Sequence, residues 1–500
     1  MLTFEAFSVA ALQKALPYIQ RNPSLCSDLS AGYLFMWQEG TDLGFCVWND
    51  TFVVRQRIGE QPAFSFPIGD DPDGMLDELI AYVRQNGLAL RFFAVDEATL
   101  ERIQSDRRLL PARWAYERRW SDYLYSFEEA MYFHGRKYNG QRNHVNKFKR
   151  LYGEPALRFL SPEDRPRVEA LLTEYAAAHG SAYALERLEL RQSIKLFDAA
   201  EALGLYAAGL FVGDSLAAFS IGERVGESLL IHVEKALTRY EGAYPTMYSG
   251  FLRLIAQRLG GPLRFVNRED DSGEPGLRSS KLQYHPICLA HKHLVHVGSP
   301  AVKARAVITV YGSGVVLTEL REDDRKRYLA LNTDVENNRW WGYDYREDLS
   351  ITGPVDENTF YDSAQYDMQA GDSVNLAVRL TENGPMIGEA ILWNFTADGR
   401  AELGCRVLRE YQGRGYGKAA FAAAAAFGAE VLKVRVFARC YRENAASYRM
   451  ITGSGFVPRR EDESFCWFDA PRPETERGTK SPFSRKGGHR HAEPSLSPGL

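Results

Sequence analysis

The residues best suited to chemistry lie in the run YQGRGYGK, Tyr411 to Lys418. A strand ending at Leu408 leads into Gln412, Gly413, Arg414, Gly415, Tyr416, Gly417 and Lys418, and a helix then begins. Glycines let the backbone approach a ligand closely, and the free N–H groups of a helix N-terminus favour an anion such as a pyrophosphate. Arg414 and Lys418 add positive charge without needing special geometry. The spacing is neither the GxxxxGK[ST] of a P-loop nor the GxGxxG of a dinucleotide fingerprint. On the residues alone, a glycine-rich βα turn without a ligand stands beside the anion-binding reading.

The elements that must position this loop read as a mixed α/β sheet. VVLTEL (Val315 to Leu320) reads as a strand and Asp323 to Leu331 as a helix with an acidic start. NLAVRL and IGEAILW are strands joined by TENGP, whose Asn-Gly is a hairpin signal. AELGCRVL follows as a third strand, and the alanine-rich AAFAAAAAFGAE has the best intrinsic helix propensity. VLKVRVFA returns as a strand, ENAASYRMITGSGF as a helix, and SFCWFDA closes the sheet. The order β-α-(α)-β-β-β-α-β-α-β implies a largely antiparallel front half with a crossover behind it.

The string AELGCRVLREYQGRGYGKAAF, with RENAASYRMITGSGF downstream, resembles the core of the GNAT superfamily of N-acetyltransferases from Val315 to Ala470. The resemblance implies acetyl-CoA as cosubstrate. Its pantetheine arm would pair with the strand backbone at Cys405, Arg406 and Val407. The loop amides from Gly413 to Lys418 would take the pyrophosphate, with Gln412 and Asn444 belonging to the same cofactor set. Transfer to an amine needs a base, and the leaving thiolate needs a hydroxyl donor. Glu402, on the strand beside the expected acetyl position, is the candidate base, and a solvent-facing strand carboxylate is its alternative. Ser447 resembles the serine of the ribosomal-protein N-terminal acetyltransferase branch; a first-turn serine bonding only backbone is its alternative. Many family members carry a tyrosine seven residues after the asparagine, where this chain has Ile451, so Ser447 is preferred. In ENNRWWGYDYRED, Trp340, Trp341 and Tyr343 are expected to line the acceptor mouth or to serve as ordinary core aromatics.

Residues 1 to 295 carry other signals. GRKYNGQRNHVNKFKRLYG sets Arg142 among several lysines and arginines, with apolar residues at helical spacing, so the charges fall on one face. FVNREDDSGEPGLRSSKLQYHP places Asn267, Arg268 and further charges in a loop after a strand, where burial is costly unless they bind or pair. With DYLYS (Asp122 to Ser126), these strings resemble the uncharacterised family related to the catalytic part of phosphatidylglycerol lysyltransferases. That resemblance implies two GNAT-like folds in tandem, with a third at the C-terminus. It also implies aminoacyl transfer from aminoacyl-tRNA, with Arg142, Asn267 and Arg268 as substrate-binding residues. The basic helix around Arg142 could face tRNA phosphate, which needs no base readout.

The 500 residues ask for two to four units, and a net charge of -4 with 45% hydrophobic residues describes a folded protein not dominated by nucleic-acid or membrane-surface attraction. The expected division is a lysyltransferase-like unit over 1–295, a linker over 296–314, a GNAT unit over 315–470 and a disordered tail over 471–500. The longest apolar runs are far shorter than the roughly 18–20 residues of a membrane span. The N-terminus does not read as a signal peptide. Six scattered cysteines argue against a metal site or a disulfide framework and for reduced thiols in the cytoplasm. The favoured function is acetyl-CoA-dependent N-acetyl transfer to an amine of a small molecule or protein. Aminoacyl transfer by the N-terminal unit is one alternative, and a non-catalytic acetyl-CoA-sensing protein is another. Oligomeric state is left open.

Overall fold

Three mixed sheets organise the chain. The computed structural model describes residues 2–471 apart from 23, 40, 59–60, 180–183, 299–309, 313, 349 and 352, so the predicted tail falls outside the described residues. The first sheet runs Glu5–Ala6, Gly44–Trp48, Thr51–Ile58, Gln61–Phe64, Leu90–Val95, His293–Val297, Ala112–Ala115. The second runs Cys288–Ala290, Asp122–Ser126, Phe265–Asn267, Ser228–Ala236, Ser215–Val225, Tyr206–Val212, Ala156–Phe159. The third runs Val310–Gly312, Val315–Glu319, Ser373–Arg379, Met386–Trp393, Arg400–Val407, Arg435–Tyr441, Phe465–Asp469, Val457–Glu461.

Among the described residues each sheet holds one parallel pair, and each of these is short. Phe64 pairs with Phe92 in the first, Ser228–Leu230 with Phe265–Asn267 in the second, and Arg400–Glu402 with Arg435–Phe437 in the third. A helix bridges each parallel step: Pro72–Asn86, Ala243–Arg258 and Tyr416–Glu430. In the second and third sheets the pairing stops after Leu230 and Glu402 while their strands run on; in the first it is a single pair at Phe64, the last residue of its strand.

Burial explains the third sheet's residue choice. All seven residues of Ser373–Arg379 are buried, because helix Tyr416–Glu430 covers one face and helices Arg325–Thr333 and Thr359–Ala370 the other. Along Arg400–Val407 the two-residue period sends Ala401 and Leu403 into the core with Ala420, Phe421 and Ala424. Glu402, Gly404 and Arg406 take the opposite face. Alanines let the helix lie close to the sheet; a Cβ on Gly428 would meet Val436 at 2.7 Å.

The N-terminal half is interwoven. After completing the second sheet, the chain returns as His293–Val297 between two strands of the first. The C-terminal unit docks on that region. Asp372 receives Arg91 at 3.0 Å and His296 at 3.1 Å, Tyr366 donates to the Ala115 carbonyl at 3.4 Å, and Ala370 joins the first sheet's core.

Two strands were not expected from the sequence. Val457–Glu461 is an edge strand exposed at all five positions, so it has no apolar alternation to betray it, and its charges suit an open edge. Val310–Gly312 pairs with Val315–Leu317 inside the stretch read as a linker. No described helix is long and apolar enough to cross a membrane.

Candidate functional site

In the third sheet, Arg400–Val407 pairs along its whole active length with Met386–Trp393 on one side, but with Arg435–Tyr441 only as far as Glu402. Beyond Glu402 no strand of the described residues pairs with the second edge of Leu403–Val407; Leu403, Gly404 and Cys405 line a cavity there, while the Val407 carbonyl accepts from Asn337 at 3.1 Å. The strand then enters the glycine loop. Gly413 (φ 72°) and Gly415 (φ 84°) take left-handed conformations that a side chain would strain, and Gly415 caps helix Tyr416–Glu430 without supplying any side chain. The first amides of that helix are therefore exposed to a ligand. Gln412 holds the turn by donating to the Val407 carbonyl at 3.2 Å and to Asn337 at 3.0 Å. Arg414 and Lys418 are exposed, and the Cys405 thiol, pushed up to about 12 by burial, sits 3.7 Å from the Gly417 carbonyl.

Glu402 stands where the strands separate. Its Oε1 accepts from Arg439 Nε and its Oε2 from Asn394 Nδ2, both at 2.8 Å. Burial pushes its carboxyl up to about 7, against the Asn394 hydrogen bond, which favours the ionised form. Each oxygen retains a second lone pair able to receive a proton through water. Ser447 faces the same cavity from the first turn of helix Ala445–Gly453. Asn444 caps that helix: its Oδ1 accepts from Ser447 N at 3.0 Å and its Nδ2 donates to Ser447 Oγ at 2.8 Å. With Asn444 occupying an acceptor site on Oγ, the hydroxyl hydrogen is available to the cleft. The alternative of a serine bonding only backbone is not what the geometry contains.

Trp340, Trp341 and Tyr343 all line the cavity. Trp340 packs against Tyr441 at 6.0 Å and Trp341 against Trp393 at 5.7 Å. The Trp341 and Trp393 rings lie over Gly404, where a Cβ would come within 2.6 Å of each. Arg406 does not offer its side chain to a cofactor. It is buried, stacked 4.7 Å from the Trp341 ring centre, paired with Glu389 at 2.9 Å and bonded to Asn332 and Asn338, which leaves its backbone for the ligand.

The N-terminal residues fall in two places. Arg142 turns its guanidinium onto the Phe133 and Gly135 carbonyls and Asn139, and Lys147 pairs with Glu241. Asn267 is buried, donating to the Leu25 carbonyl and Asp122, each at 2.8 Å. Neither Arg142 nor Asn267 lines the cavity; Arg268 does. It pairs with Glu234 at 3.1 Å inside a cage of Tyr125, Tyr248 and Tyr284, and its Nη1 and Glu234 Oε1 are buried without a hydrogen-bond partner. Around it stand groups that no motif announced. Burial works against a charged His232, but hydrogen bonds to Glu223 (2.9 Å) and Glu269 (2.7 Å) outweigh it and push the imidazole up to about 10. Burial lowers Lys281 to about 8, and its ammonium rests on the Arg268 and Glu269 carbonyls. Lys292 joins Asp28 and Asp122, each at 2.6 Å.

These two groups of residues share one space. A cavity of about 2100 Å³ takes its walls from all three sheets: Arg91 and Phe93 of the first, His232 and Glu234 of the second, Glu402 and Arg439 of the third.

Residues 22–296 match the family model described as phosphatidylglycerol lysyltransferase, C-terminal, and residues 315–457 that of the acetyltransferase (GNAT) domain. A crystal structure of a conserved protein of unknown function from Bacteroides thetaiotaomicron VPI-5482 is 26% identical, with a TM-score of 0.54, over 59% of this chain and all of that one. The structure of L-PGS from Bacillus licheniformis is 13% identical with a TM-score of 0.43, covering 58% of this chain and 93% of its own. An uncharacterised protein of Mycoplasmoides gallisepticum is 27% identical over 180 residues, which is 35% of this chain and only 56% of that relative.

Proposed function

Since the chain belongs to the phosphatidylglycerol lysyltransferase C-terminal family through residues 22–296 and carries a GNAT acetyltransferase domain after it, we propose a two-centre acyltransferase whose C-terminal centre moves acetyl from acetyl-CoA to an amine. The observation that carries this reading is the open backbone edge of Leu403–Val407. It lies beside the uncapped N-terminus of helix Tyr416–Glu430, with Glu402 at the split and Ser447 on the same cavity.

The residues fit the cosubstrate. The strand edge matches the amides of a pantetheine arm, and the loop from Gly413 to Lys418 matches a pyrophosphate. Bound there, acetyl-CoA supplies an activated thioester. Glu402, near half-ionised at neutral pH, takes the amine's proton through water, while Arg439 and Asn394 fix its orientation. Ser447, oriented by Asn444, donates to the departing sulfur. The Trp341 and Trp393 rings narrow the acceptor side and limit water.

Calorimetry with acetyl-CoA on the full chain tests this. Binding is expected, and Gly415→Glu should weaken it by more than about tenfold, because a side chain strained at positive φ then opposes the phosphates with like charge. No binding at millimolar ligand would sink the reading. Binding without thiol release on any amine would leave the chain an acetyl-CoA sensor.

A second activity is favoured by the Arg268–Glu234 pair. One unused cationic donor beside one unused anionic acceptor suits an aminoacyl group, the carbonyl meeting Arg268 and the ammonium meeting Glu234. Aminoacyl-tRNA is the donor that this reading implies, bound in part through the basic helix Asn139–Tyr152. The domain division proposed keeps an N-terminal unit over 1–295 and a GNAT unit over 315–470, with the expected linker 296–314 cut at both ends, since His296 and Val297 finish a strand of the first sheet and Val310–Gly312 joins the third. The first two sheets repeat the third's antiparallel ladder and helix-bridged parallel step, which supports tandem GNAT-like folds. The thiols, free of disulfides, fit a cytoplasmic setting.

A further inference from the structure

One cavity walled by all three sheets is more than a single small-molecule site requires. Pockets for such ligands occupy roughly 300–1,000 Å³, and this one is about 2100 Å³. Its two polar centres lie on different units. The N-terminal centre is the Arg268–Glu234 pair; the C-terminal centre is Glu402 with Ser447. Between them the walls alternate in origin. Glu117, Arg119 and Trp120 come from the N-terminal unit, while Trp341, Asp348 and Asp367 come from the C-terminal one. The two sets are tied together where the acceptor mouth forms. Arg119 donates to the Ser350 carbonyl at 3.0 Å, and Arg187 pairs with Glu347 at 3.7 Å. The N-terminal unit therefore supplies a wall of the space in which the C-terminal cleft receives its acceptor.

We propose that the amine acetylated at Glu402 is the α-amine of an aminoacyl group that reaches the cleft through this shared cavity, so that the reaction supplying the acceptor is an aminoacyl transfer at the N-terminal centre. The chemistry is consistent in sequence. Aminoacyl transfer breaks the ester to the donor's hydroxyl and forms a new ester or amide with a hydroxyl- or amine-bearing acceptor, whose proton goes to the departing donor oxygen, and it leaves the α-amine free. At the second centre that nitrogen forms a C–N bond to the acetyl carbon and the C–S bond breaks. The nitrogen's proton passes through water to Glu402, and the sulfur leaves as a thiolate held by Ser447 Oγ–H. The amine, having released its ammonium proton to solvent before attack, becomes a neutral amide, and the product cannot regain the charge for which Glu234 would hold it. This inference rests on the acetyltransferase reading of the C-terminal cleft and adds its acceptor class and route.

The test uses the full chain with acetyl-CoA and two sets of acceptors: amino acid amides, which place an α-amine next to a carbonyl, and alkylamines of matched size. Thiol release and the mass and position of the added acetyl are measured. The amides should be acetylated on the α-nitrogen with a kcat/KM at least about tenfold above the alkylamines, since only they present a carbonyl whose hydrogen bond is lost in the analogue. Trp120→Ala, in the N-terminal wall, should raise KM for the amides about fivefold with kcat and acetyl-CoA affinity unchanged, the size of a partly lost apolar wall contact. Trp120→Leu is the second variant should the first not fold. Equal use of both acceptor sets, or no turnover of the amides while acetyl-CoA binds, overturns the inference and leaves the cosubstrate site standing. Wall variants that lower kcat for all amines alike do the same. Failure to bind acetyl-CoA at all overturns the reading beneath it.

Discussion

Removing the Asn394 amide should move the acid limb of acetyl transfer to higher pH. Asn394 Nδ2 donates to Glu402 Oε2 at 2.8 Å and so favours the carboxylate, while burial pushes the group up to about 7. Asn394 sits at φ 52°, a conformation strained for alanine but open to glycine, so Asn394→Gly removes the amide without adding backbone strain. A hydrogen bond to a charged group contributes about 1.5–3 kcal/mol, and one pH unit corresponds to about 1.4 kcal/mol. Water replaces part of that bond, so the expected shift is about one unit upward. The base acts deprotonated. At pH 7 wild type would be about half active and the variant about one-tenth, so kcat/KM falls about fivefold there and converges above about pH 9. The assay is thiol release from acetyl-CoA across pH with one amine acceptor, whose own titration is common to both enzymes and cancels in their ratio. An acid limb that stays in place, or moves down, refutes Glu402 as the titrating base. A uniform loss at every pH assigns Asn394 a purely structural role.

Ser447→Ala should lower kcat about tenfold while acetyl-CoA affinity by calorimetry stays unchanged, because the hydroxyl acts on the departing sulfur rather than on binding. Arg268→Met leaves the Glu234 carboxylate buried and unpaired, so urea unfolding should show a loss of about 3–5 kcal/mol, and Arg268→Met with Glu234→Met should recover most of it. Burial, then repulsion from Asp372 and Glu117, pushes Asp367 up to about 8 against an ordinary 3.8. The folded chain then holds a proton that the unfolded chain releases, so this group's contribution to stability is complete in acid and is lost as pH rises from 3.8 through 8. Asp367→Asn should flatten the fall in thermal midpoint over that window; an unchanged slope would show that other groups set it.

The parts visible in the sequence are those whose physics is local. Gly413 and Gly415 stand out because positive φ at a helix start demands glycine, and the Ala419 to Ala426 run because propensity alone favours a helix. Asn444 and Ser447 are three residues apart, so one helical turn brings them together, as their spacing implies. Arg439 and Asn394 were invisible for the opposite reason. Arg439 meets Glu402 only after a crossover helix returns the chain, 37 positions later, whereas Asn394 meets it across the hairpin register that pairs Trp393 with Glu402, and nothing in VFARC or WNF marks an inward polar group. Arg142 shows the converse: its charge reads from the sequence, but the backbone turn at 133–139 that receives its guanidinium does not. The same limit explains the N-terminal centre. His232 and Lys292 meet carboxylates from remote segments, Glu269 for the first and Asp28 and Asp122 for the second, and Lys281 turns back onto the Arg268 and Glu269 carbonyls of the loop before its own helix, so the cost of burying them is met by partners that no periodic spacing rule connects. What ties these residues to the C-terminal loop is topological. Each sheet changes from antiparallel to parallel pairing once, and His293–Val297 and Asp372 lock the sheets so that all three line one cavity. Fusion of two transfer units would need no such arrangement if they acted on unrelated substrates; a shared acceptor space gives the arrangement a chemical use.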